Sequence, residues 1–242
     1  VLTNAHIAQY FLLTDYPKEN ATTCTIRNGN PARNAYKASL LYIPITWIQA
    51  HADSVTLESP SGTGESDYAL LYITKTSEED GTLPSSFPYI PINTREEIVE
   101  KKDPVLVISY PAIIAESQAV KNNLYLISSE TSVETVFTFG GNFLDLFGVL
   151  GNIAAQRGSS GGAIIDKNSS LVGLIVTSTT DALVLNRQLR ALTPAYINRS
   201  LTKENGTTLE QLLTGDLLQR SQAFNLTTAP ILTKILLEKL GE

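Results

Sequence analysis

Residues 158–162 read Gly158-Ser159-Ser160-Gly161-Gly162 and lie between a polar loop and the apolar run Ala163-Ile164-Ile165. A serine hydroxyl becomes an effective nucleophile only when a base removes its proton and backbone donors hold the oxyanion that forms. Glycines beside the serine allow a tight turn that presents such N–H groups. The motif alone is weak, because Gly-Ser runs are most often plain turns.

The position of the histidines limits the chemistry that this motif can support. The motif also fits the Gly-x-Ser-x-Gly elbow of α/β-hydrolases, in which the chain order is Ser, acid, His. Both histidines, His6 and His51, precede Ser160. An α/β-hydrolase would therefore need a base beyond the end of this chain. The order His, acid, Ser is the one that chymotrypsin-like proteases use.

Three segments in this order form one pattern. Residues 1–6 read Val-Leu-Thr-Asn-Ala-His, residues 67–73 read Asp-Tyr-Ala-Leu-Leu-Tyr-Ile, and residues 158–162 complete the set. They resemble the histidine, aspartate and serine motifs of trypsin-like serine proteases, most closely of the HtrA-like branch. Residues 105–111 and 192–194 are similar to the strand that opens the second barrel and to the segment that closes the domain. The resemblance covers about residues 1 to 197.

The resemblance implies a serine endopeptidase that forms an acyl-enzyme and takes part in HtrA-like protein quality control or processing. Ser160 is then the nucleophile, His6 the general base and later the acid, and Asp67 the residue that orients His6. The N–H groups of Gly158 and Ser160 form the oxyanion hole. The long separations between the three residues suit a triad assembled by tertiary structure.

Substrate-binding residues also follow from family position. Ala154 would lie at the base of the primary pocket and Arg157 at its rim. The strand that pairs with the substrate backbone would consist of Val176, Thr177, Ser178 and Thr179. None of these side chains is acidic, so we expect small or medium apolar side chains, rather than Arg or Lys, at the cleavage site.

Two residues depart from the family pattern. Ser109 stands where the family's second-barrel strand has glycine, and Ser159 stands where activated trypsin-like enzymes have aspartate. That aspartate pairs with a newly cut N-terminus. Without a carboxylate at position 159, we expect activity that does not require zymogen cleavage.

Each predicted residue also has a simpler interpretation. A histidine after an apolar run is usually a satisfied core residue, an aspartate before a strand is usually a turn or cap, and Ser160 could be a turn serine. His51 is a competing base, because Asp53 would share its face if residues 47–53 formed a strand. We favour a structural or surface role for His51, since its flanks lack the motif. The alternative function is a protease-like scaffold that binds peptide or protein without cleaving it.

Composition excludes several other classes of function. The 242 residues carry a formal charge of −6, and no basic block offers the footprint that a nucleic-acid backbone needs. One cysteine and two histidines cannot form an all-cysteine zinc site or a paired cysteine–histidine site. We expect no cofactor and no metal. No apolar window approaches ~18 residues, so no membrane anchor is visible. We also expect an exported protein of the periplasm, cell envelope or extracellular space.

Short β-branched and aromatic runs, separated by Gly, Pro, Asn and Asp, predict a mainly all-β chain. We expect two antiparallel six-stranded-type β-barrels of the trypsin-like fold, the first lacking its N-terminal strands. The first would span residues 1–95, with a linker within 74–100, and the second residues 96–197. Two amphipathic helices are predicted in residues 198–242, from Leu209, Leu213 and Leu217 and then from Ile231, Ile235, Leu236 and Leu240. These helices would cover the open edge, pack on the second barrel or join copies of the chain.

Four phenylalanines fall within one short segment: Phe137, Phe139, Phe143 and Phe147. Most aromatic clusters belong to a core. Loops near the site of HtrA-like proteases gate activity and bind partners, so the resemblance also allows an exposed hydrophobic loop here.

Overall fold

The computed structural model describes residues 1–57, 62–112, 124–150, 154, 158–178 and 188–241. Its strands are β1 Leu2–Thr3, β2 Ile26–Asn28, β3 Arg33–Tyr42, β4 Ala69–Thr76, β5 Pro104–Ser109, β6 Ile127–Phe137, β7 Leu146–Leu150, β8 Ala163–Ile165, β9 Leu171–Ser178 and β10 Gln188–Leu192. Its α-helices are α1 Ala5–Ala8, α2 Ile45–His51, α3 Pro194–Asn205, α4 Leu209–Leu212, α5 Leu217–Thr227 and α6 Ala229–Leu240.

The first four strands form an antiparallel sheet in the order β1-β4-β3-β2. The sheet curls into a half-barrel and does not close on itself. Its longest pairing joins β3 and β4, with register shifts between Lys37 and Ala38 and between Leu40 and Tyr42. Such irregularities bend a strand and increase its twist, which curls the sheet.

The remaining six strands close into a barrel in the order β10-β7-β6-β5-β8-β9. Closure depends on β10, which pairs with both β7 and β9. A closed barrel has no unpaired sheet edge to protect. Its interior is tightly packed: a Cβ at Gly173 would come within 2.7 Å of the Phe147 ring, and Phe147 itself is fully buried.

A central apolar cluster joins the half-barrel to the barrel. Leu70 and Tyr68 from the β4 region pack there with Leu146 and Leu174 of the barrel. Helix α3 contributes Ile197 to the same cluster. The two sheets therefore share one core, and this shared core fixes how residues from each approach the other.

The C-terminal helices cover the open face of the half-barrel. Ala229, Leu232 and Leu236 of α6 are buried in the same cluster as Trp47 and Ile48 of α2. Helix α5 lies on β3 through polar contacts as well as apolar ones. Ser221 Oγ donates to the Leu40 carbonyl at 2.8 Å, and Asn225 Nδ2 donates to the same oxygen at 2.7 Å. Of the roles predicted for the tail, these contacts show that it covers the open half-barrel. The tail also packs on the barrel, because Leu209 and Leu212 of α4 are buried in the central cluster with Leu146 and Leu174.

The mainly antiparallel β architecture is confirmed, with one complete barrel, one incomplete barrel and C-terminal helices. The prediction of only two helices after the barrel is wrong, because four are present within the described residues that follow it. Gly206 ends α3 in the left-handed region at φ +68°, and Gly215, at φ +83°, lies between α4 and α5. Glycine adopts this conformation with no steric penalty. The apolar spacing across 209–217 therefore does not correspond to one continuous helix, and Leu213 is exposed.

We predict that Leu232→Ala destabilises the protein by about 2–5 kcal/mol, because it leaves a cavity between α6 and the half-barrel. Leu232 is 0% exposed, whereas its neighbour Ile231 is 62% exposed. Ile231→Ala is the matched control and should change the free energy of unfolding by no more than about 0.5 kcal/mol. Urea denaturation of both variants measures the difference. Equal effects would contradict the proposed packing of α6.

Candidate active site

His6 and Asp67 are joined by two hydrogen bonds across the half-barrel. His6 Nδ1 lies 2.7 Å from Asp67 Oδ2, and the His6 backbone N–H donates to Asp67 Oδ1 at 2.9 Å. Each carboxylate oxygen therefore has its own contact with His6. Asp67 is largely buried and the His6 side chain is 25% exposed. The carboxylate is held in place while part of the imidazole ring stays accessible.

Two neighbouring side chains support this pair. Asn4 is fully buried and its Nδ2 donates to the Asp67 backbone carbonyl at 3.0 Å. Gln9 Nε2 donates to the His6 carbonyl at 3.0 Å. His6 lies in the single turn of α1, whose first hydrogen bond runs from the Ala8 N–H to the Asn4 carbonyl. The segment that carries His6 is thus tied to Asp67 through both its backbone and its side chains.

Ser160 follows a loop of the barrel that lies against the beginning of the half-barrel. The next residue, Gly161, has φ +80°, and a Cβ there would come within 3.0 Å of Thr3 Oγ1. Ser160 is half-buried. The hydrogen bonds of the described residues include none from the Ser160 hydroxyl to the His6 ring. The structure therefore joins His6 and Asp67 directly and brings the Ser160 loop to the segment just before His6.

Around Ser160, some backbone N–H groups donate hydrogen bonds to other described residues and some do not. Gly161 N–H donates to the Ile175 carbonyl, and Gly162 N–H donates to the Ser159 carbonyl. Within the described part of the chain, the N–H groups of Gly158 and Ser160 donate to no other residue. These are the two groups predicted to form the oxyanion hole.

Gly158 has φ +91°, and a Cβ at that position would come within 2.9 Å of the Ala112 backbone nitrogen. A side chain at position 158 would therefore clash with the backbone of Ala112, in the segment that follows β5. Both the conformation and the close approach require glycine.

The two residues that depart from the family pattern are in contact with each other. Ser109 Oγ donates to the Ala154 carbonyl at 3.2 Å and to Ser159 Oγ at 3.4 Å. Ser159 Oγ donates to the same carbonyl at 2.5 Å. All three residues are buried. The two serines hold the backbone of Ala154, the residue predicted at the base of the primary pocket, next to the Ser160 loop.

Strand β9 continues beyond its partner β8 on the side of the Ser160 loop. Pairing with β8 ends at Leu174 opposite Ala163, and Ile175 then exchanges hydrogen bonds with Gly161 and Gly162. Among described residues, Thr177 and Ser178 pair only with β10. Val176 is buried against Gly64, near the Asp67 turn. Arg157 and Thr179, the other predicted substrate-binding residues, lie outside the described residues.

His51 takes part in none of the contacts of His6 and Asp67 that the structure describes. It ends helix α2, so the strand geometry that would have paired it with Asp53 is not present. Its ring stacks on Trp47 with centroids 5.0 Å apart, and its Nδ1 lies 3.1 Å from the Trp47 carbonyl. Asp53 instead pairs with Lys239 of α6 at 3.0 Å. These contacts pack the His51 ring on its own helix and leave Asp53 paired with another residue.

The phenylalanine segment divides between core and surface. Phe147 is fully buried, Phe137 and Phe139 are half-buried against the central cluster, and Phe143 is 53% exposed. The Arg199 guanidinium lies 4.7 Å from the centre of the Phe143 ring. The segment is therefore neither wholly core nor wholly an exposed loop: Phe143 is exposed, and the other three phenylalanines pack inward.

The sequence did not identify Gln9 or Tyr196 as part of the site, and it did not identify the pairing of Ser109 with Ser159. Tyr196 lies in α3, and its hydroxyl oxygen accepts from the Ser66 N–H at 3.0 Å. No motif signals this contact, because the two residues are 130 positions apart. Asn4 could have been found, since it lies within the quoted histidine motif.

The described residues contain no group of three or more His, Cys, Asp or Glu side chains arranged to hold a metal ion. Within the same ranges, no helix has both the length and the apolar character needed to cross a bilayer.

The family model of the trypsin-like peptidase domain matches residues 1–174. Among solved structures, the chain resembles the active form of the Rv3671c protease from M. tuberculosis, with 15% identity, a TM-score of 0.48, and coverage of 84% of this chain and 68% of that one. It also resembles kallikrein-related peptidase 10, with 15% identity, a TM-score of 0.44, and coverage of 84% and 83%. No curated protein sequence matches the chain.

We predict that Gly158→Ala destabilises the protein by at least about 2 kcal/mol, because alanine is strained at this φ and its Cβ meets backbone that cannot rotate away. The control is Gly140→Ala, since a Cβ at Gly140 meets no atom within 4 Å. Thermal and urea unfolding of the two variants provide the comparison. A Gly158→Ala protein as stable as the control would show that the loop does not need the described conformation.

Proposed function

Because the chain belongs to the trypsin-like peptidase family, we propose that it is a serine endopeptidase that cleaves polypeptides through His6, Asp67 and Ser160. One observation carries the proposal: the His6 Nδ1 to Asp67 Oδ2 contact of 2.7 Å, within the segment that matches the family. A protease of this class acts through an acyl-enzyme and needs no cofactor.

The contact between His6 and Asp67 supports a distinct role for each ring nitrogen of His6. With Nδ1–H donating to the Asp67 carboxylate, the other nitrogen, Nε2, carries the lone pair that can accept a proton. Asp67 then stabilises the imidazolium that forms and keeps the ring in this tautomer. The second contact, from the His6 N–H to Oδ1, prevents the carboxylate from rotating away.

In the acylation step, the Ser160 oxygen attacks the substrate carbonyl carbon while its proton moves to His6 Nε2. The N–H groups of Gly158 and Ser160 donate to the oxyanion, each such donor being worth about 10²–10³ in rate. His6 then transfers its proton to the leaving amine as the peptide C–N bond breaks. Water, deprotonated by His6 Nε2, then attacks the acyl carbon; as the ester bond to Ser160 breaks, His6 returns that proton to the Ser160 oxygen and the carboxylic acid product leaves.

The substrate backbone would add to β9 as a further strand. Thr177 and Ser178 lie beyond the end of β8 and pair only with β10 among described residues, which supports this mode of binding. Ala154 presents a small side chain at the predicted base of the primary pocket. We therefore propose cleavage after small or medium apolar residues, and an HtrA-like role in protein quality control or processing.

Labelling with a fluorophosphonate probe tests the catalytic assignment. We predict that the native chain is labelled, that Ser160→Ala abolishes labelling, and that His6→Ala slows it by at least about 10³-fold. His51→Ala is the matched histidine control and should be labelled at the native rate. Ser128→Ala, at an exposed position of β6, is the matched serine control.

Circular dichroism must show that each variant is folded before its labelling is compared. A folded native chain that is not labelled would overturn the enzymatic assignment and favour the peptide-binding scaffold. Loss of labelling in His51→Ala with retention in His6→Ala would move the base to His51.

The pocket assignment can be tested with a peptide library that varies the residue before the cleaved bond. We predict that small or medium apolar residues are cleaved with the highest kcat/KM, and that Arg and Lys at this position are cleaved at least about tenfold more slowly. The physical reason is the absence of an acidic side chain among the assigned pocket residues. Preferential cleavage after Arg or Lys would show that another part of the chain forms the pocket.

A further inference from the structure

The residues that flank Asp67 are both held by helix α3. Before Asp67, the Ser66 N–H donates to the Tyr196 hydroxyl oxygen at 3.0 Å, and Ser66 Oγ lies 3.3 Å from the same oxygen. After Asp67, the Tyr68 hydroxyl donates to Ser200 Oγ at 3.2 Å. Tyr196 and Ser200 are one helical turn apart, so they present their hydroxyl groups from the same face of α3.

Ser66 has an unusual backbone conformation for a serine. Its φ is +56°, in the left-handed region, where the Cβ of an L-residue comes too close to the following carbonyl oxygen. Hydrogen bonds of the same turn run from the Asp67 N–H to the Gly64 carbonyl and from the Tyr68 N–H to the Ser66 carbonyl. A conformation of this kind persists only where its surroundings hold it, and Tyr196 provides a contact from outside the turn.

Helix α3 is itself fixed at the position that this contact needs. The Thr193 side chain caps its first turn, accepting from the Tyr196 N–H at 3.1 Å. Arg199 forms ion pairs with Asp145 and Glu96. The Phe139 ring packs edge-on against Tyr196, with centroids 5.0 Å apart. Tyr196 therefore contacts the Asp67 turn from a helix that is itself fixed to the barrel.

We propose that Tyr196 is a positioning residue, whose hydroxyl holds Ser66 in its left-handed conformation and so aims the Asp67 carboxylate at His6. The inference rests on the proposed function in assigning a catalytic role to that carboxylate. Tyr196 touches neither His6 nor the reacting atoms, and it acts only through the turn. Through α3 and Tyr196, the barrel therefore helps to orient Asp67, which belongs to the half-barrel.

The chemical state of Tyr196 suits this role. Burial raises the pKa of its phenol above the ordinary value, although the contacts with Ser66 partly oppose the rise. The group is therefore a neutral hydroxyl at physiological pH and can accept from the Ser66 N–H and also donate. Phenylalanine at this position would keep the ring packing and leave the Ser66 N–H without this partner.

Steady-state kinetics of Tyr196→Phe on a cleaved peptide tests the proposal. We expect kcat to fall by about tenfold with KM within about twofold of native, because the orientation of the reacting groups changes and the substrate-binding surface does not. The matched control is Tyr72→Phe, since the half-buried Tyr72 packs against the same central cluster and its hydroxyl bonds to no described residue. Unchanged kcat in Tyr196→Phe, with only a lower melting temperature, would overturn the proposal.

Proton NMR gives a readout that does not need catalysis. The chain has two histidines, so in a His51→Ala background the low-field imidazole N–H resonance reports on His6 alone. We expect this resonance to move upfield in Tyr196→Phe as the contact with Asp67 lengthens, and to stay in place in Tyr72→Phe. An unmoved resonance in Tyr196→Phe overturns the proposal even if kcat falls. If the native chain cleaves no peptide but the resonance still moves in Tyr196→Phe, the proposed function is refuted and the positioning role is supported.

Discussion

The turn that carries the Asp67 carboxylate is where the half-barrel, the barrel and helix α3 meet. A buried carboxylate is costly unless its oxygens are hydrogen-bonded, and here both accept from His6. The backbone next to it is tied to Asn4 and, through Ser66, to Tyr196. Gly64, at the start of the same turn, lies against Val176 of β9. Moving Asn4 or Tyr196 would leave a polar group of this turn without its bond, and moving β9 would disrupt the packing of Val176 on Gly64. The relative positions of the two sheets are therefore tightly specified.

The half-barrel shows how helices can complete a sheet that does not close. An open curved sheet exposes an apolar concave face and an unpaired edge. Apolar side chains of α6 fill the face, and polar side chains of α5 satisfy the Leu40 carbonyl near the irregular register of β3. Burial of apolar side chains stabilises α6 on the sheet, whereas the hydrogen bonds to Leu40 fix where α5 lies along β3.

Much of the site could be predicted from the sequence, because its residues lie within short motifs. The motif at residues 1–6 identified His6, and the apolar strand after Asp67 identified its partner; the structure places the two in contact. The glycines beside Ser160 were predicted to shape its loop, and Gly158 and Gly161 have the positive φ values that such a turn uses. The catalytic roles themselves stay predictions until they are measured.

The remaining features depend on contacts that no local pattern carries. Helix α2 was not predicted, because Ile45–His51 is too short for its periodicity to be distinguished from that of a strand. The helices after residue 206 were predicted as fewer and longer, since apolar spacing continued across Gly215 even though that glycine separates α4 from α5. Tyr196 could not be found at all, because its importance arises from a residue 130 positions away.

The position of β10 has a consequence for where this protein can be cut. The family match ends at residue 174, but β10 closes the barrel, and α5 and α6 cover the open face of the half-barrel. A fragment trimmed to the recognisable family segment would keep all three predicted catalytic residues while losing the strand that closes one core and the helices that cover the other. We therefore expect a fragment that ends at residue 174 not to fold, and expression boundaries should include β10 and the helices that follow it.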